Sequence, residues 1–371
     1  MILFLSITFL IGAALLTIIG NVLFWSKVKP TEKIFPNSVS VLIPARNEKE
    51  NLVGCVNSVL LQGTVVKEIL VYNDHSTDGT DEIIDQLRLE NAHFHNIEVN
   101  PLPAGWCGKN YACAQLATSA SGAWLLFLDA DARLSPNAIN RMIQEAISRE
   151  VTFLSCWPRL EMISLAEKLL MPMLNFVVFS IFPGFLSLLK DKQFSANPSL
   201  GIAHGSCMFF EKDSYFKFGG HERVKDQIFE DTRIAQLWRE DRQSGVCLDG
   251  QDVVNLRMYK SWQEIWNGFQ KNFYPAFRKD QNFWLFILFH FVLFFLPFLL
   301  VLFLDSKWQV VIWLIYLCRF VLAIRFNHPL ISILFHPVSE LFLLILGISS
   351  YLHCKSGRGV QWKGRAYLNR T

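Results

Sequence analysis

Hydrophobic and polar positions divide the chain into apolar ends and an alternating middle. Residues 2–24 form an uncharged apolar stretch that is long enough to cross a bilayer as a helix. Three more apolar segments, at 283–304, 308–324 and 330–352, lie near the other end of the chain. Residues 38–255 alternate short apolar strands with amphipathic helices, which predicts an α/β domain with a mostly parallel sheet flanked by helices.

These patterns predict five regions. They are an N-terminal transmembrane anchor at 1–26, an α/β domain at 38–255, an interfacial amphipathic helix at 256–282, C-terminal transmembrane segments at 283–352 and a basic tail at 353–371. Lysines follow the first apolar segment and no charged side chain precedes it, so the positive-inside rule places the α/β domain in the cytoplasm. A cleaved signal peptide is the alternative. The lack of a basic start and of a small-residue cleavage site favours an anchor in a multi-pass protein of the cell membrane.

The interfacial helix is predicted from one aromatic helical face. Its members recur at helical spacing just before a membrane segment: Trp262, Ile265, Trp266, Phe269 and Phe273. Tryptophans on such a face favour the membrane surface over ordinary core packing. The apolar stretch from Met162 to Leu189 has two similar interpretations, a pair of core helices or a segment at the membrane surface.

The last two apolar segments leave the topology of the C-terminus open. The second is short and contains Arg319, and the third contains His336, Pro337 and Glu340, which suggests a kinked or re-entrant segment. Three full crossings from a cytoplasmic domain would place the basic tail outside, against the positive-inside rule. We therefore favour a cytoplasmic tail, with one of these two segments re-entrant or interfacial.

Composition narrows the classes of function. The net charge is only +3 and no basic stripe contains interleaved aromatic residues, so nucleic acid is not an expected partner. The eight cysteines include no Cys-x-x-Cys pair, which argues against a zinc site and against a disulfide framework. No feature of the sequence implies a protein partner.

Polar residues follow three of the predicted strands, at 38–43, 68–72 and 123–128. The first strand is followed by Arg46, Asn47 and Glu48, the second by Asn73 and Asp74, and the third by Asp129 and Asp131. Because the carboxyl ends of parallel strands meet at one edge of a sheet, these side chains are expected to line a common pocket.

The residue types in this pocket suit a nucleotide diphosphate. Asn47 and Asp74 can bind a base and a ribose, and Lys109, which follows Gly105 and Gly108, can place a positive charge at a diphosphate. Asp129 and Asp131 offer oxygen ligands for Mg²⁺ or Mn²⁺ bridging that diphosphate. Taken alone, Asp129-Ala130-Asp131 also suits a solvated acidic turn, and Lys109 a surface lysine.

Several motifs, in order along residues 38–255, carry a family resemblance. They are Val-Leu-Ile-Pro-Ala-Arg-Asn-Glu (41–48), Tyr-Asn-Asp-His-Ser-Thr-Asp-Gly-Thr (72–80), Gly-Trp-Cys-Gly-Lys (105–109), Asp-Ala-Asp (129–131), Gly-Gly-His (219–221) and Glu-Asp (230–231). This set resembles family 2 glycosyltransferases, which have the GT-A nucleotide-diphospho-sugar transferase fold. The Gly-Trp-x-Gly-Lys element and the closing residues 360–367 resemble the membrane-bound branch of carotenoid-acid and hopanoid-associated glycosyltransferases.

The resemblance implies an inverting, metal-dependent hexosyltransferase that uses a UDP-sugar. It makes Asp231 the catalytic base, with Glu230 as the alternative, although both acids also suit the start of a helix. It makes Asp131 the likelier metal ligand and leaves Asp129 between the metal and the nucleotide. Candidate donor-binding residues are Pro44, Arg46, Asn47, Glu48, Asn73, Asp74, Lys109, Asp129 and His221. For His221, a diphosphate contact and a loop cap remain equally open.

The acceptor is expected to be a membrane lipid. Processive polysaccharide synthases have a Gln-x-x-Arg-Trp motif where this chain has Gln270-Lys-Asn-Phe-Tyr274, and four membrane segments are few for a polymer channel. Transfer of one sugar to a carotenoid-, hopanoid- or glycerolipid-type hydroxyl or carboxyl group fits better. A polyprenyl-phosphate sugar synthase is an alternative, thinly supported by Lys190, Lys192, Arg278 and Lys279. A non-catalytic nucleotide-sugar-binding membrane protein is another, against which the intact acids argue.

Overall fold

A computed structural model describes residues 1–188, 196–277, 279–303 and 305–356, and the backbone of 360–362 and 365–367. The chain divides into two compact units. The sheet unit comprises Ser26–Glu161 and Leu186–Met258, and the helical unit comprises Met1–Trp25, Met162–Phe185 and the residues from Tyr259 onward. The predicted continuous α/β domain at 38–255 is thus interrupted, because Met162–Phe185 belongs to the helical unit.

The strands fall into one large and two small sheets. In chain order they are β1 (Val39–Ala45), β2 (Val66–Asn73), β3 (Phe94–Asn96), β4 (Trp124–Leu128), β5 (Ala132–Leu134), β6 (Phe153–Trp157), β7 (Arg159–Leu160), β8 (Cys207–Glu211), β9 (Gly245–Asp249), β10 (Val254–Leu256), β11 (Val360–Trp362) and β12 (Arg365–Tyr367). The large sheet has the order β3-β2-β1-β4-β8-β6-β9, and β5-β10-β7 and β11-β12 form the small ones.

The register of the large sheet brings the predicted loops to one edge. Strands β3, β2, β1 and β4 are parallel, and Ala45 at the end of β1 pairs with Asn73 at the end of β2. On its other side β1 pairs with β4, Leu42 opposite Phe127. Strand β8 is antiparallel to both β4 and β6, so the loop that precedes β8 joins the same edge. Three predicted strand ends and one later loop therefore meet there.

The helices lie between and after these strands. In chain order they are α1 (Ile2–Phe24), α2 (Leu52–Leu60), α3 (Thr80–Glu90), α4 (Gly108–Ser119), α5 (Ala138–Arg149), α6 (Leu165–Leu170), α7 (Pro172–Ile181), α8 (Lys212–Phe218), α9 (Glu230–Glu240), α10 (Trp262–Phe273), α11 (Asp280–His290), α12 (Leu296–Phe303), α13 (Trp308–Phe326), α14 (Ile331–Leu334) and α15 (His336–Lys355). A π-helical segment, Phe291–Phe295, joins α11 to α12.

An aromatic cluster forms the core on one face of the large sheet. Phe153 and Phe210 stack with their ring centroids 4.6 Å apart, and Trp238 of α9 packs on both. Leu116 of α4 and Phe127 of β4 complete the same buried cluster. Each buried side chain of this size contributes about 1.5–3 kcal/mol to folding, so α4 and α9, whose first turns contain Lys109 and Asp231, are anchored against the sheet.

The helical unit contains four helices that are long and apolar enough to cross a membrane. They are Ile2–Phe24, Asp280–Phe303, Trp308–Phe326 and His336–Lys355. Pro337 does not kink the last of them, because it stands in the first turn of α15, where a proline needs no backbone partner. The chain bends instead between α14 and α15. Of the basic tail, Arg358, Lys363 and Arg370 lie outside the described residues.

Several polar side chains buried in the helical unit are paired with one another or with the backbone. Glu340 accepts a hydrogen bond from His290 at 2.8 Å, and both side chains are fully buried. Arg319 donates to the carbonyl oxygens of Pro172 and Ser332 at 3.4 and 3.2 Å. These pairs explain how helices with ionisable residues remain apolar on the outside.

The predicted interfacial helix is present as α10, but its aromatic face is partly covered. Trp262 and Trp266 pack edge-on against Phe342 of α15, with ring centroids 4.7 and 5.6 Å apart. Ile265 is fully buried, whereas Trp262 keeps 51% of its surface exposed. The face that predicted a lipid surface therefore serves helix packing as well.

Candidate active site

The loops after β1 and β2 hold each other through polar side chains. The carboxamide oxygen of Asn47 accepts the backbone N–H of Thr77 at 2.8 Å, and Asn47 N–H donates to the Ser76 hydroxyl at 2.9 Å. Glu48 N–H donates to the Thr80 hydroxyl at 2.9 Å. These bonds tie the motif at 41–48 to the motif at 72–80, which explains why both are rich in short polar residues.

The acid at the end of β2 lies beneath these loops. Asp74 is 5% exposed, and its carboxylate lies 3.9 Å from the Arg46 guanidinium and 3.3 Å from His75 Nδ1. Arg46 also donates to the carbonyl oxygen of Asp74 at 2.5 Å. Asn73 binds Ser76 of its own loop and Asp81 of the first turn of α3. The predicted nucleotide-binding residues of these two loops thus lie close together, and Pro44 lies near the end of β1. Asn73 stabilises its own loop through Ser76.

Lys109 is the centre of a cluster of acids. Its ammonium lies 2.9 Å from the Asp129 carboxylate and 3.1 Å from the Glu230 carboxylate. Burial alone would lower the pKa of Lys109, but Asp129 and Glu230 raise it well above its ordinary value. Lys109, which stays charged, therefore joins two acids that lie 20 and 121 positions after it in the chain.

Asp231 stands beside this cluster in the first turn of α9. Its two carboxylate oxygens accept the backbone N–H groups of Thr232 and Gly205, at 2.6 and 2.7 Å. Burial and the neighbouring Glu230 raise the pKa of Asp231 to about 7, although both N–H groups and Lys109 act in the opposite direction. An acid that titrates near neutral pH is suited to proton transfer. The predicted helix start and the predicted base thus coincide at this residue.

The Asp129–Asp131 loop is fixed by its backbone. Asp129 N–H donates to Ser206 O at 3.1 Å. Arg133 donates to Ala130 O at 2.9 Å and to the carbonyl oxygen of Asn51, just before α2, at 2.9 Å. Gly54 leaves room for this arginine, because a Cβ there would lie 2.7 Å from it. The carboxylates of Asp129 and Asp131 are consequently presented by a rigid turn.

The donor chemistry of this turn fits a divalent cation only with help from a substrate. Among the described residues, no group of three or more His, Cys, Asp or Glu side chains is placed to hold a metal. Two carboxylates leave most coordination positions of Mg²⁺ or Mn²⁺ to other oxygens, and Mg²⁺ sites commonly combine one or two carboxylates with substrate phosphates. The residues present fit a cation that arrives with a diphosphate.

His221 occupies the core side of its loop. Its side chain is 1% exposed, its Nδ1 lies 2.7 Å from the Tyr215 hydroxyl, and its ring packs on Phe127 at 4.7 Å. Gly220 precedes it with a positive φ of 54°, and a Cβ there would lie 2.7 Å from the Tyr215 ring. Burial lowers the pKa of His221 to about 3. This geometry favours the loop cap over the diphosphate contact.

Sequence reasoning missed the loop His204-Gly205-Ser206. Gly205 binds Asp231 and Ser206 binds Asp129, so one loop supports both acids. His204 is 8% exposed, and burial lowers its pKa to about 4. The loop has neither periodicity nor paired acids, and its only signal is a small, polar tripeptide in front of an apolar strand.

Asn110, which sequence reasoning also missed, secures the residue next to it. Its buried side chain donates to Val224 O at 2.6 Å and Gln227 O at 2.8 Å. An Asn110→Ala change removes both bonds, and because Val224 O keeps the N–H of Gln227 at 2.9 Å, it should cost about 1–3 kcal/mol of stability. Thermal unfolding of the solubilised protein measures this. Asn100→Ala, which removes an exposed bond to Gln115, is the control, and equal melting temperatures for the two variants would contradict the assignment.

Residues 40–218 match the family model described as Glycosyl transferase family 2. A 4,4'-diaponeurosporenoate glycosyltransferase of Staphylococcus haemolyticus (strain JCSC1435) is 28% identical over 225 residues, which cover 60% of this chain and 57% of that protein. A protein of the same description from Staphylococcus aureus (strain USA300) is 25% identical over 344 residues, covering 89% of this chain and 88% of that protein. The chain therefore spans less than two thirds of the first relative and most of the second, and the predicted family resemblance is confirmed.

One solved structure shares the fold over nearly the whole chain. The mannosyltransferase PcManGT from Pyrobaculum calidifontis, in complex with GDP-Man and Mn²⁺, has a TM-score of 0.56 and 16% sequence identity, covering 95% of this chain and 97% of that one. Together with the family match, this similarity confirms the predicted GT-A fold. Glu230 and Asp231 lie beyond the end of the matched family region.

Proposed function

We propose that this glycosyltransferase, in which residues 40–218 form a glycosyl transferase family 2 domain, moves one sugar from a UDP-sugar to a membrane lipid, with inversion. The proposed acceptor group is a hydroxyl or carboxyl, and the relatives named for a carotenoid acid make such an acid the first candidate. The observation that carries the proposal is the cluster in which Lys109 joins Asp129 and Glu230 beside Asp231. In this cluster a fixed positive charge lies beside the proposed base.

Asp231 is the proposed base. A hydroxyl acceptor must lose its proton as it attacks the sugar, and a carboxylate titrating near pH 7 can take it. A carboxyl acceptor entering among Glu230 and Asp129 is favoured in its neutral form, because burial and negative charges raise a carboxyl pKa. Either acceptor therefore brings a proton for Asp231 to remove.

Lys109 and the two strand-end loops are the proposed donor site. Lys109 holds the charge of the departing diphosphate, and Asp74 and Asn47 lie at the strand ends expected to hold the nucleoside. Asp131, with Asp129 beside it, would hold Mg²⁺ or Mn²⁺. When bound, that cation would neutralise negative charge on the leaving group. Because Asp129 is already paired with Lys109, we assign the main ligand to Asp131.

The four apolar helices support a membrane acceptor. The proposed orientation keeps the sheet unit in the cytoplasm, where nucleotide sugars are made, as the lysines after α1 indicate. Of the basic residues that support the polyprenyl-phosphate alternative, Lys190, Lys192 and Arg278 lie outside the described residues.

Sugar transfer by membranes of expressing cells tests the function. The membranes are incubated with 4,4'-diaponeurosporenoate and labelled UDP-glucose, UDP-N-acetylglucosamine or GDP-mannose, and the lipids are extracted. We expect label in the carotenoid acid from a UDP-sugar and less from GDP-mannose. Label in polyprenyl phosphate would support the alternative synthase, and UDP binding without turnover would support a non-catalytic protein.

An Asp131→Ala variant tests the metal assignment. We expect it to lose the stimulation by Mn²⁺, about 100-fold in rate, because a cation at a departing diphosphate supplies several kcal/mol. The Asp129→Asn variant is the comparison and should keep the stimulation, because Asp131 is left in place. Rates are measured against Mn²⁺ concentration, and unchanged stimulation in Asp131→Ala would refute the ligand assignment.

A further inference from the structure

The imidazole of His204 lies in the loop that supports Asp231. The next residue, Gly205, donates its N–H to the Asp231 carboxylate at 2.7 Å. A Cβ on Gly205 would lie 3.1 Å from that carboxylate and 3.4 Å from Lys109 Nζ, so the loop lies directly against the reacting groups. A larger residue at this position would therefore press on the Asp231 carboxylate, whereas Lys109 would be in ordinary contact with it.

His204 is held in one orientation. Its backbone N–H donates to the Ser155 hydroxyl at 2.9 Å, and its ring packs edge-on against Trp157 with centroids 5.1 Å apart. Its Nδ1 lies 3.3 Å from Ser206 N and 2.9 Å from the Ser206 hydroxyl. The ring is therefore held between Trp157 and Ser206.

These contacts also fix its proton. A backbone N–H can only donate, so Nδ1 accepts and has no hydrogen. The neutral imidazole then carries its proton on Nε2. Among the described residues no group binds Nε2, although His204 is only 8% exposed. A donor without a partner among the described residues thus belongs to the loop that supports the base.

We propose that His204 is a substrate-binding residue whose Nε2–H holds the attacking oxygen group of the acceptor next to Asp231. The inference rests on the proposed function and specifies its acceptor side. In a hydroxyl acceptor the bound atom is the hydroxyl oxygen, which also loses the proton. In a carboxyl acceptor the bound atom is the carbonyl oxygen, and the neighbouring oxygen loses the proton. A neutral donor suits this place, because a second cation beside Lys109 would weaken Asp231 as a base.

Two substitutions separate the ring nitrogens. His204→Asn keeps an oxygen at the Nδ1 position, which still accepts from Ser206, and removes the Nε2–H. His204→Gln reaches further and restores an N–H near the Nε2 position. We expect His204→Asn to lower kcat/KM for 4,4'-diaponeurosporenoate by about 10- to 100-fold, the loss of one hydrogen bond in a buried site. His204→Gln should recover most of that loss.

Equilibrium binding of UDP-glucose is measured on the same full-length variants in detergent. The Kd should be unchanged in both, and the melting temperature should fall equally little. A weaker donor Kd in the Asn variant alone would mean that the N–H binds the donor sugar and would overturn the acceptor assignment. Equal losses in the Asn and Gln variants would reduce His204 to a structural residue.

The proposed function can fail separately. If the wild type labels no lipid, the lipid acceptor is wrong, and hydrolysis of UDP-glucose then tests His204, because the attacking water would occupy the same place. His204→Asn should slow that hydrolysis about tenfold and His204→Gln should not. Equal hydrolysis rates in all three proteins would reject the inference.

Discussion

Replacing Asp231 by Asn is expected to lower sugar transfer by about 10³-fold, within the range that a positioned general base contributes. The amide is nearly isosteric, but it cannot take a proton and it offers one oxygen where the carboxylate accepts two N–H groups, from Gly205 and Thr232. The donor should still bind, because Lys109 and the strand-end loops are unchanged. kcat/KM for the lipid acceptor, measured alongside the donor Kd, separates these two effects.

The pH profile identifies the base independently. Because the pKa of Asp231 is about 7, its carboxylate forms as the pH rises through 7, and wild-type kcat/KM should rise across the same interval. That rise should disappear in Asp231→Asn. A variant that keeps both the rate and the profile would disprove the mechanism.

Glu230→Gln is the matched control, since it changes the adjacent acid in the same helix turn. Glu230 raises the pKa of Asp231, so its neutralisation should move the midpoint of the profile below 7 and leave most of the rate. If Glu230→Gln loses as much activity as Asp231→Asn and Asp231→Asn does not lose the pH-dependent rise, the base is Glu230, the alternative that the family motif left open.

The donor side of this site was predictable from sequence because it depends on local rules. Strands β1, β2 and β4 are read from short apolar runs, and parallel pairing then requires their carboxyl ends to meet, as Ala45 opposite Asn73 shows. Strand β3, Phe94–Asn96, is harder to predict, because an edge strand of three residues gives little hydrophobic signal. Lys109 was singled out through the two glycines that precede it, Gly105 and Gly108.

The other side of the site depends on contacts between distant segments. Strand β8 enters the sheet between β4 and β6, about 80 residues after β4, and no rule of periodicity states where such a strand inserts. The loop of His204 reaches Asp129 and Asp231 only through that insertion. Likewise, Met162–Phe185 is apolar enough for a core, and only tertiary packing assigns it to the helical unit.

Replacing Lys109 by Met is expected to raise the donor Kd by about 10- to 100-fold, since one charge-assisted hydrogen bond to a phosphate contributes about 1.5–3 kcal/mol. The same change should alter the acceptor side. Lys109 lowers the pKa of Asp231, and without it Asp129 and Glu230 also lose their common cation. The midpoint of the pH profile should therefore move above 7, opposite to its movement in Glu230→Gln.

Lys109→Arg keeps the charge and distinguishes electrostatics from shape. We expect its pH midpoint to stay near 7, even if the larger guanidinium binds the diphosphate less well. Donor Kd and the pH dependence of kcat/KM are measured for wild type, Met and Arg proteins. A Met variant with weak donor binding but an unmoved midpoint would show that Lys109 serves the diphosphate alone. An Arg variant whose midpoint moves with that of Met would attribute the shift to local packing, because the positive charge is then present in one variant and absent in the other.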